Sequence, residues 1–145
     1  MDELGAKLRA AVEPLLEPGE ELRGICAATQ VGLLTGRMVA LAATDRRLVM
    51  QGLTRKLERK GEPRSIVPEG IVSAKADGAG GGWPELGAAI MDRAAVTLRI
   101  RTAEGERLKL DLMRGTGPLG KLGGGDSQRQ GVEAVGRFFD EASGA

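Results

Sequence analysis

Histidine and tyrosine are absent from this chain, and its aromatics are limited to Trp83, Phe138 and Phe139. Without histidine there is no imidazole to activate a nucleophile, no mixed cysteine–histidine zinc site and no proton switch near neutral pH. A single cysteine, Cys26, excludes an internal disulfide and an all-cysteine metal cluster. Three aromatics give few platforms for stacking bases, so no nucleic-acid partner is expected. The longest apolar run, Met38 to Ala43, has six residues, well short of the ~18 needed to cross a membrane. The chain opens Met1-Asp2-Glu3, without the basic and apolar regions of a leader, and a cytoplasmic location is expected. Glu17-Pro18-Gly19-Glu20 has carboxylate spacing but spans a turn and lacks a supporting histidine. Neither a metal nor an organic cofactor is expected, and no set of residues points to catalysis.

What is present is a globular composition. Of 145 residues, 41% are hydrophobic and 28% charged, with a net charge of +1. The length suits one domain spanning 1–145. Its core must come from Leu, Val, Ile, Met and Ala. Glycine supplies 23 residues. Of these, 11 fall in two windows, Gly78 to Gly87 and Gly115 to Gly125, which read as connections. Gly115-Thr116-Gly117-Pro118-Leu119-Gly120 matches the spacing of a dinucleotide loop, but it follows a hairpin rather than opening a βαβ unit.

Leu4, Leu8 and Val12 recur at helical spacing, predicting a helix over 2–13 that Pro14 ends and that covers one end of a sheet. Strands are expected over Leu22 to Gln30, Arg37 to Ala43 and Arg46 to Gln51, with Thr44-Asp45 as a turn. The charged stretch Leu53 to Arg64 reads as a protruding loop or short helix, with Leu53 and Leu57 its large apolar residues. Strand character resumes from Ser65 to Ala76, broken at Pro68-Glu69-Gly70. The clearest signal is a hairpin: Val96, Leu98 and Ile100, then Leu108, Leu110 and Leu112, alternate with polar residues. The strands together span about 21–113. A final helix is predicted over about 127–142, with Ser127 and Gln130 as a capping box and Val132, Val135 and Phe139 on one face. Gly131 and Gly136 each cost roughly 1 kcal/mol inside a helix, which a close approach to the sheet would offset.

Three stretches resemble the bacterial pleckstrin-homology-like (PH-like) and GRAM-like families. They are Leu16-Glu17-Pro18-Gly19-Glu20-Glu21-Leu22, the segment Ala40 to Met50 around Thr44-Asp45-Arg46-Arg47-Leu48, and the late hairpin followed by a helix. The resemblance implies a mainly β (α+β) fold: an antiparallel barrel or strongly curved sheet of about seven strands with a helix at each terminus. It also implies a non-catalytic binding or scaffold module that engages a protein partner or copies of itself. The chain departs from phosphoinositide-binding members in having no basic residue between Gln30 and Gly36.

Several residues stand out as candidates. Arg55, Lys56, Arg59, Lys60 and Arg64 form the densest basic stretch, an anion or anionic-lipid surface. Trp83, beside Pro84, reads as a pin for its loop or as an interface anchor, and Leu33 and Leu34 as apolar interface residues. Thr44, Asp45, Arg46 and Arg47 read as a structural turn whose Thr and Asp side chains accept from the backbone. Cys26 reads as a small buried apolar residue.

Overall fold

A computed structural model describes residues 3–32, 36–78, 82–91, 96–112 and 125–143. The elements run α1 (Glu3–Val12), β1 (Leu22–Val31), β2 (Gly36–Thr44), β3 (Leu48–Gly52), β4 (Arg64–Ile66), β5 (Ile71–Asp77), α2 (Leu86–Met91), β6 (Val96–Thr102), β7 (Arg107–Leu112) and α3 (Gly125–Ser143). Short 3-10 turns follow α1 at Glu13–Leu15, precede β5 at Pro68–Gly70 and precede α2 at Trp83–Glu85. The seven strands form one antiparallel sheet in the order β4-β3-β2-β1-β7-β6-β5. The two edge strands, β4 and β5, are consecutive in sequence, so the sheet curls into a half-barrel. Arg64 on β4 forms a two-pronged ion pair with Glu106 before β7, and the Ala103 N–H donates to the Gly70 carbonyl at 2.9 Å. The ion pair draws the curl together, and the backbone bond extends the β5–β6 ladder.

Strands β1 to β3 are buried on both faces, which is why they read as apolar runs rather than as clean alternation. Cys26, Ala28, Val39, Leu41, Ala43, Leu48 and Met50 face the inner core with the apolar residues of β6, β7, α2 and α3. Ile25, Ala27, Ala40, Ala42 and Val49 face outward and are covered by Leu4, Leu8, Ala11 and Val12 of α1. The N-terminal helix therefore lies across this outer face, not over the end of the sheet as its sequence pattern alone led us to expect. Small alanines on the strands make room for it. Burying each large apolar side chain of α1 contributes about 1.5–3 kcal/mol.

The first half of β1 meets α3. Among the described residues β1 pairs with β7 over Ala28 to Gln30. Just before this, the side-chain amide of the fully buried Gln128 grips the Ala27 backbone, accepting from its N–H and donating to its carbonyl, both at 2.8 Å. One turn further along α3, Gly131 faces Ile25, where a Cβ would overlap the carbonyl group. The close approach that the helical glycine implied is thus present. α3 starts at Gly125, two residues before the Ser127 of the capping-box pattern. Gly136 makes a second close approach: its Cβ position lies 2.6 Å from the Trp83 carbonyl oxygen.

Candidate functional site: a cationic cleft between the N-terminal helix and the β3–β4 loop

The loop from Leu53 to Pro63 is charged yet well braced. Leu53 and Leu57 bury themselves in the outer core under α1. Leu57 does so from the left-handed region at φ 65°, an uncommon conformation for a bulky residue. The Thr54 hydroxyl accepts from Lys56 N–H and Glu58 N–H, both at 3.2 Å, and Thr54 N–H donates to Glu58 at 2.8 Å. At the loop's exit the buried Gln51 amide donates to the carbonyls of Gly52 and Gly61 at 3.0 and 3.1 Å. Thr54 and Gln51 were not candidates from sequence, because an isolated polar residue in a strand or turn carries no signal of what it ties together.

This brace divides the basic stretch. Arg55, Lys56 and Arg59 are exposed and line a cleft of about 750 Å³ against α1, together with Lys7 and Glu58. Its apolar floor is Ala10, Ala11, Met38 and Leu57. Lys60 and Arg64 line a separate hollow of about 190 Å³ with Arg37, Gln30 and Glu62. Arg64 is already paired with Glu106, whose carboxyl it holds below the usual carboxylate range. Lys7 and Arg37 were missed from sequence. Lys7 sits on the polar face of an amphipathic helix, and nothing local shows that this face borders the loop.

The Thr44–Arg47 turn lies elsewhere and is engaged internally. Thr44 Oγ1 accepts from the N–H groups of Arg46 and Arg47 at 3.1 and 3.0 Å and donates to Glu20 at 2.7 Å. Asp45 accepts from Glu21 N–H at 2.8 Å. The Arg47 guanidinium holds the Glu20 carboxylate through two bonds of 2.8 and 2.9 Å, donates to the Leu15 carbonyl at 3.0 Å and reaches Ser65. The Glu20 side chain has no exposed area. Its pKa is held down to about 2, chiefly by the Arg47 hydrogen bonds, which outweigh the opposing effect of burial. Glu17 N–H and the Thr44 hydroxyl assist. Arg46 is the more exposed of the two arginines and pairs loosely with Asp45 at 3.8 Å.

Trp83 is half-buried and stacks on Phe139 of α3, ring centres 4.9 Å apart and planes 20° apart. Phe138 meets Phe139 edge-on at 5.3 Å. Leu33 and Leu34 lie outside the described residues, as does the dinucleotide-like Gly115–Gly120 stretch. Cys26 is fully buried, and burial pushes its thiol up to about 12. We expect the native protein to resist a thiol-modifying reagent and the urea-unfolded chain to react at once. Fast labelling of the native protein would contradict this placement. Among the described residues no group of three or more Asp, Glu, Cys or His side chains is placed to hold a metal, and no described helix is long and apolar enough to cross a membrane.

A curled seven-stranded antiparallel sheet closed on one side by a C-terminal helix is the architecture of a PH-like domain, and this is the class to which the fold belongs. Among solved structures, the hSac2 domain from the human phosphoinositide phosphatase Sac2 matches with a TM-score of 0.54 and 13% identity, over 97% of this chain and 80% of that one. A pleckstrin homology domain from Shewanella amazonensis matches at 23% identity over 86% of this chain and 97% of that one, with a TM-score of 0.46. The C-terminal domain of an unknown protein from Leishmania infantum matches at 15% identity over 74% of this chain and 83% of that one, with a TM-score of 0.48. At such identities the likeness concerns the fold. No protein-family model and no curated protein sequence matches the chain.

Proposed function

We propose that this protein is a non-catalytic binding module that attaches to anionic lipid surfaces through the cleft between α1 and the β3–β4 loop. The observation that carries this reading is the make-up of the cleft: Lys7, Arg55, Lys56 and Arg59 against the single carboxylate of Glu58, around an apolar floor. A cationic rim with an apolar base suits an anionic headgroup joined to a hydrocarbon. The loop's anchors, Leu53, Leu57 and Gln51, fix the backbone that carries its cations, which lowers the ordering cost of binding.

Each basic residue beside an anionic leaflet contributes about 1 kcal/mol. The triple variant Arg55→Gln/Lys56→Gln/Arg59→Gln should therefore partition onto phosphatidylserine vesicles on the order of a hundredfold less well at low salt. Co-sedimentation measures this. Binding that is unchanged in the variant, or indifferent to salt, would rule the cleft out. Light scattering on the same samples tests the self-association implied by the PH-like resemblance. A dimer mass would support it, and a monomer mass at high concentration would remove it.

A further inference from the structure

We propose that the outer face of β5, β6 and β7 is a docking surface for an acidic segment of a protein partner. The strand register sets this face out as a lattice. Ser73, Arg101 and Arg107 lie side by side across the three strands, Lys75, Arg99 and Lys109 form the next row, and Asp77, Thr97 and Asp111 the third. The alternate residues of β6 and β7, from Val96 to Ile100 and from Leu108 to Leu112, are buried, so these rows face outward. Five cations thus occupy two adjacent rows.

Two features mark this as more than a solvated face. Arg101 stands directly opposite Arg107, and Arg99 directly opposite Lys109. Like charges in facing positions destabilise a sheet, and an anion laid over them reverses the sign of that contribution. In addition, the available carboxylates are used at one end. Asp77 pairs with Arg99 at 2.6 Å and Lys75 at 3.4 Å, and Asp111 accepts from the Thr97 hydroxyl at 2.8 Å. Among the described residues Arg101, Arg107 and Lys109 have no ion-pair partner. A hollow of about 360 Å³ runs over these cations, with Ile100 and Leu108 at its base.

The spacing and the polarity of the face select the occupant. Alternate residues of a strand repeat at about 6.8 Å. Carboxylates on alternate residues of an extended chain repeat at the same interval, so an acidic strand laid along the face matches it row by row. Arginine also pairs with carboxylates in a two-pronged geometry. The described residues of this face include no aromatic on which a base would stack. The carboxylates of Asp77 and Asp111 would repel a uniformly negative membrane or phosphate backbone, whereas a peptide is free to end its acidic run there.

Fluorescence anisotropy of the full chain with a labelled peptide of alternating glutamate and serine tests this. At low salt the peptide should bind, and the alternating lysine–serine peptide should not. Arg101→Gln/Arg107→Gln/Lys109→Gln should weaken binding at least about tenfold, as should raised salt. Arg55→Gln/Lys56→Gln/Arg59→Gln should leave it within about twofold, which separates this surface from the lipid cleft. Relief of like-charge contacts should let the first triple variant melt no lower than the parent. If it melts lower, the single Arg107→Gln variant, with a loss of about threefold or more, gives the same answer. The proposal is overturned if the glutamate peptide binds no better than the lysine peptide, or if the variants retain it. It is overturned equally if the three cations are needed for vesicles or single-stranded RNA and not for the peptide.

Discussion

Replacing Gly131 with alanine is expected to destabilise the protein by on the order of 4 kcal/mol or more, a size of loss reserved for steric or core defects. Helix propensity alone points the other way, since alanine is favoured over glycine by about 1 kcal/mol inside a helix. The sign is decided by what the new methyl meets. Its position overlaps the Ile25 carbonyl and lies 2.9 Å from the Cys26 nitrogen. Both are strand backbone, so no side chain can rotate aside. Relief requires α3 to lift from β1, which breaks the Gln128–Ala27 pair of hydrogen bonds and exposes Val132, Val135 and Phe139. Gly70→Ala is the control: its Cβ would sit 3.7 Å from Val67, an ordinary contact, and the change should stay within about 0.5 kcal/mol. Urea unfolding of the two variants decides the matter. A Gly131→Ala protein as stable as its parent would mean that α3 does not sit against β1 as described.

Arg47→Met should cost about 3–5 kcal/mol, because it leaves the enclosed Glu20 carboxylate without its cation. Removing both charges, as in Glu20→Gln/Arg47→Met, should recover most of that loss, since a neutral pair carries no comparable desolvation penalty. The same pair predicts a pH dependence. The Glu20 carboxyl is held at about 2 when folded, against an ordinary value of 4.5. Its contribution is therefore complete above pH 4.5 and is lost as the pH falls toward 2, a difference of about 3 kcal/mol. Asp77 and Glu106 are held low by Arg99 and Arg64, so part of the acid sensitivity will remain without Glu20. Glu20→Gln should flatten the stability profile between pH 4.5 and 2 in chemical denaturation. A profile as steep as the parent's would show that the carboxylate is not paired in solution.

How far the sequence could be read depended on whether the information was local. The hairpin of β6 and β7 was plain because its two faces differ, one wet and one dry. Strands β1 and β2 were harder, since α1 covers their outer face and removes the alternation, leaving Ile25 to Ala28 and Val39 to Ala43 continuously buried. The Thr44-Asp45-Arg46-Arg47 segment was legible as a turn. Its strongest partner, Glu20, lies 27 residues away, and no spacing rule connects them. The basic stretch was visible as composition, yet its division into two hollows follows from the buried Leu57 and Gln51, whose roles appear only in three dimensions. The cationic lattice was in view as the wet half of the hairpin. Its facing pairs become apparent once the register sets Arg101 against Arg107 and β5 adds Lys75 to the row.

The docking of α3 on β1 has a consequence for biogenesis. β1 is the first of the seven strands to be synthesised, and the helix that packs against it follows all seven. Until α3 arrives, the Ala27 N–H and carbonyl lack the Gln128 amide that satisfies them in the finished fold. An uncovered strand edge is a template for pairing with another chain. The contact that completes it joins residues 101 positions apart, the kind of long-range closure that slows folding and prolongs exposure to aggregation. The interval between emergence of β1 and arrival of Gln128 is thus when a nascent chain is most open to off-pathway association, and chaperone dependence should concentrate there.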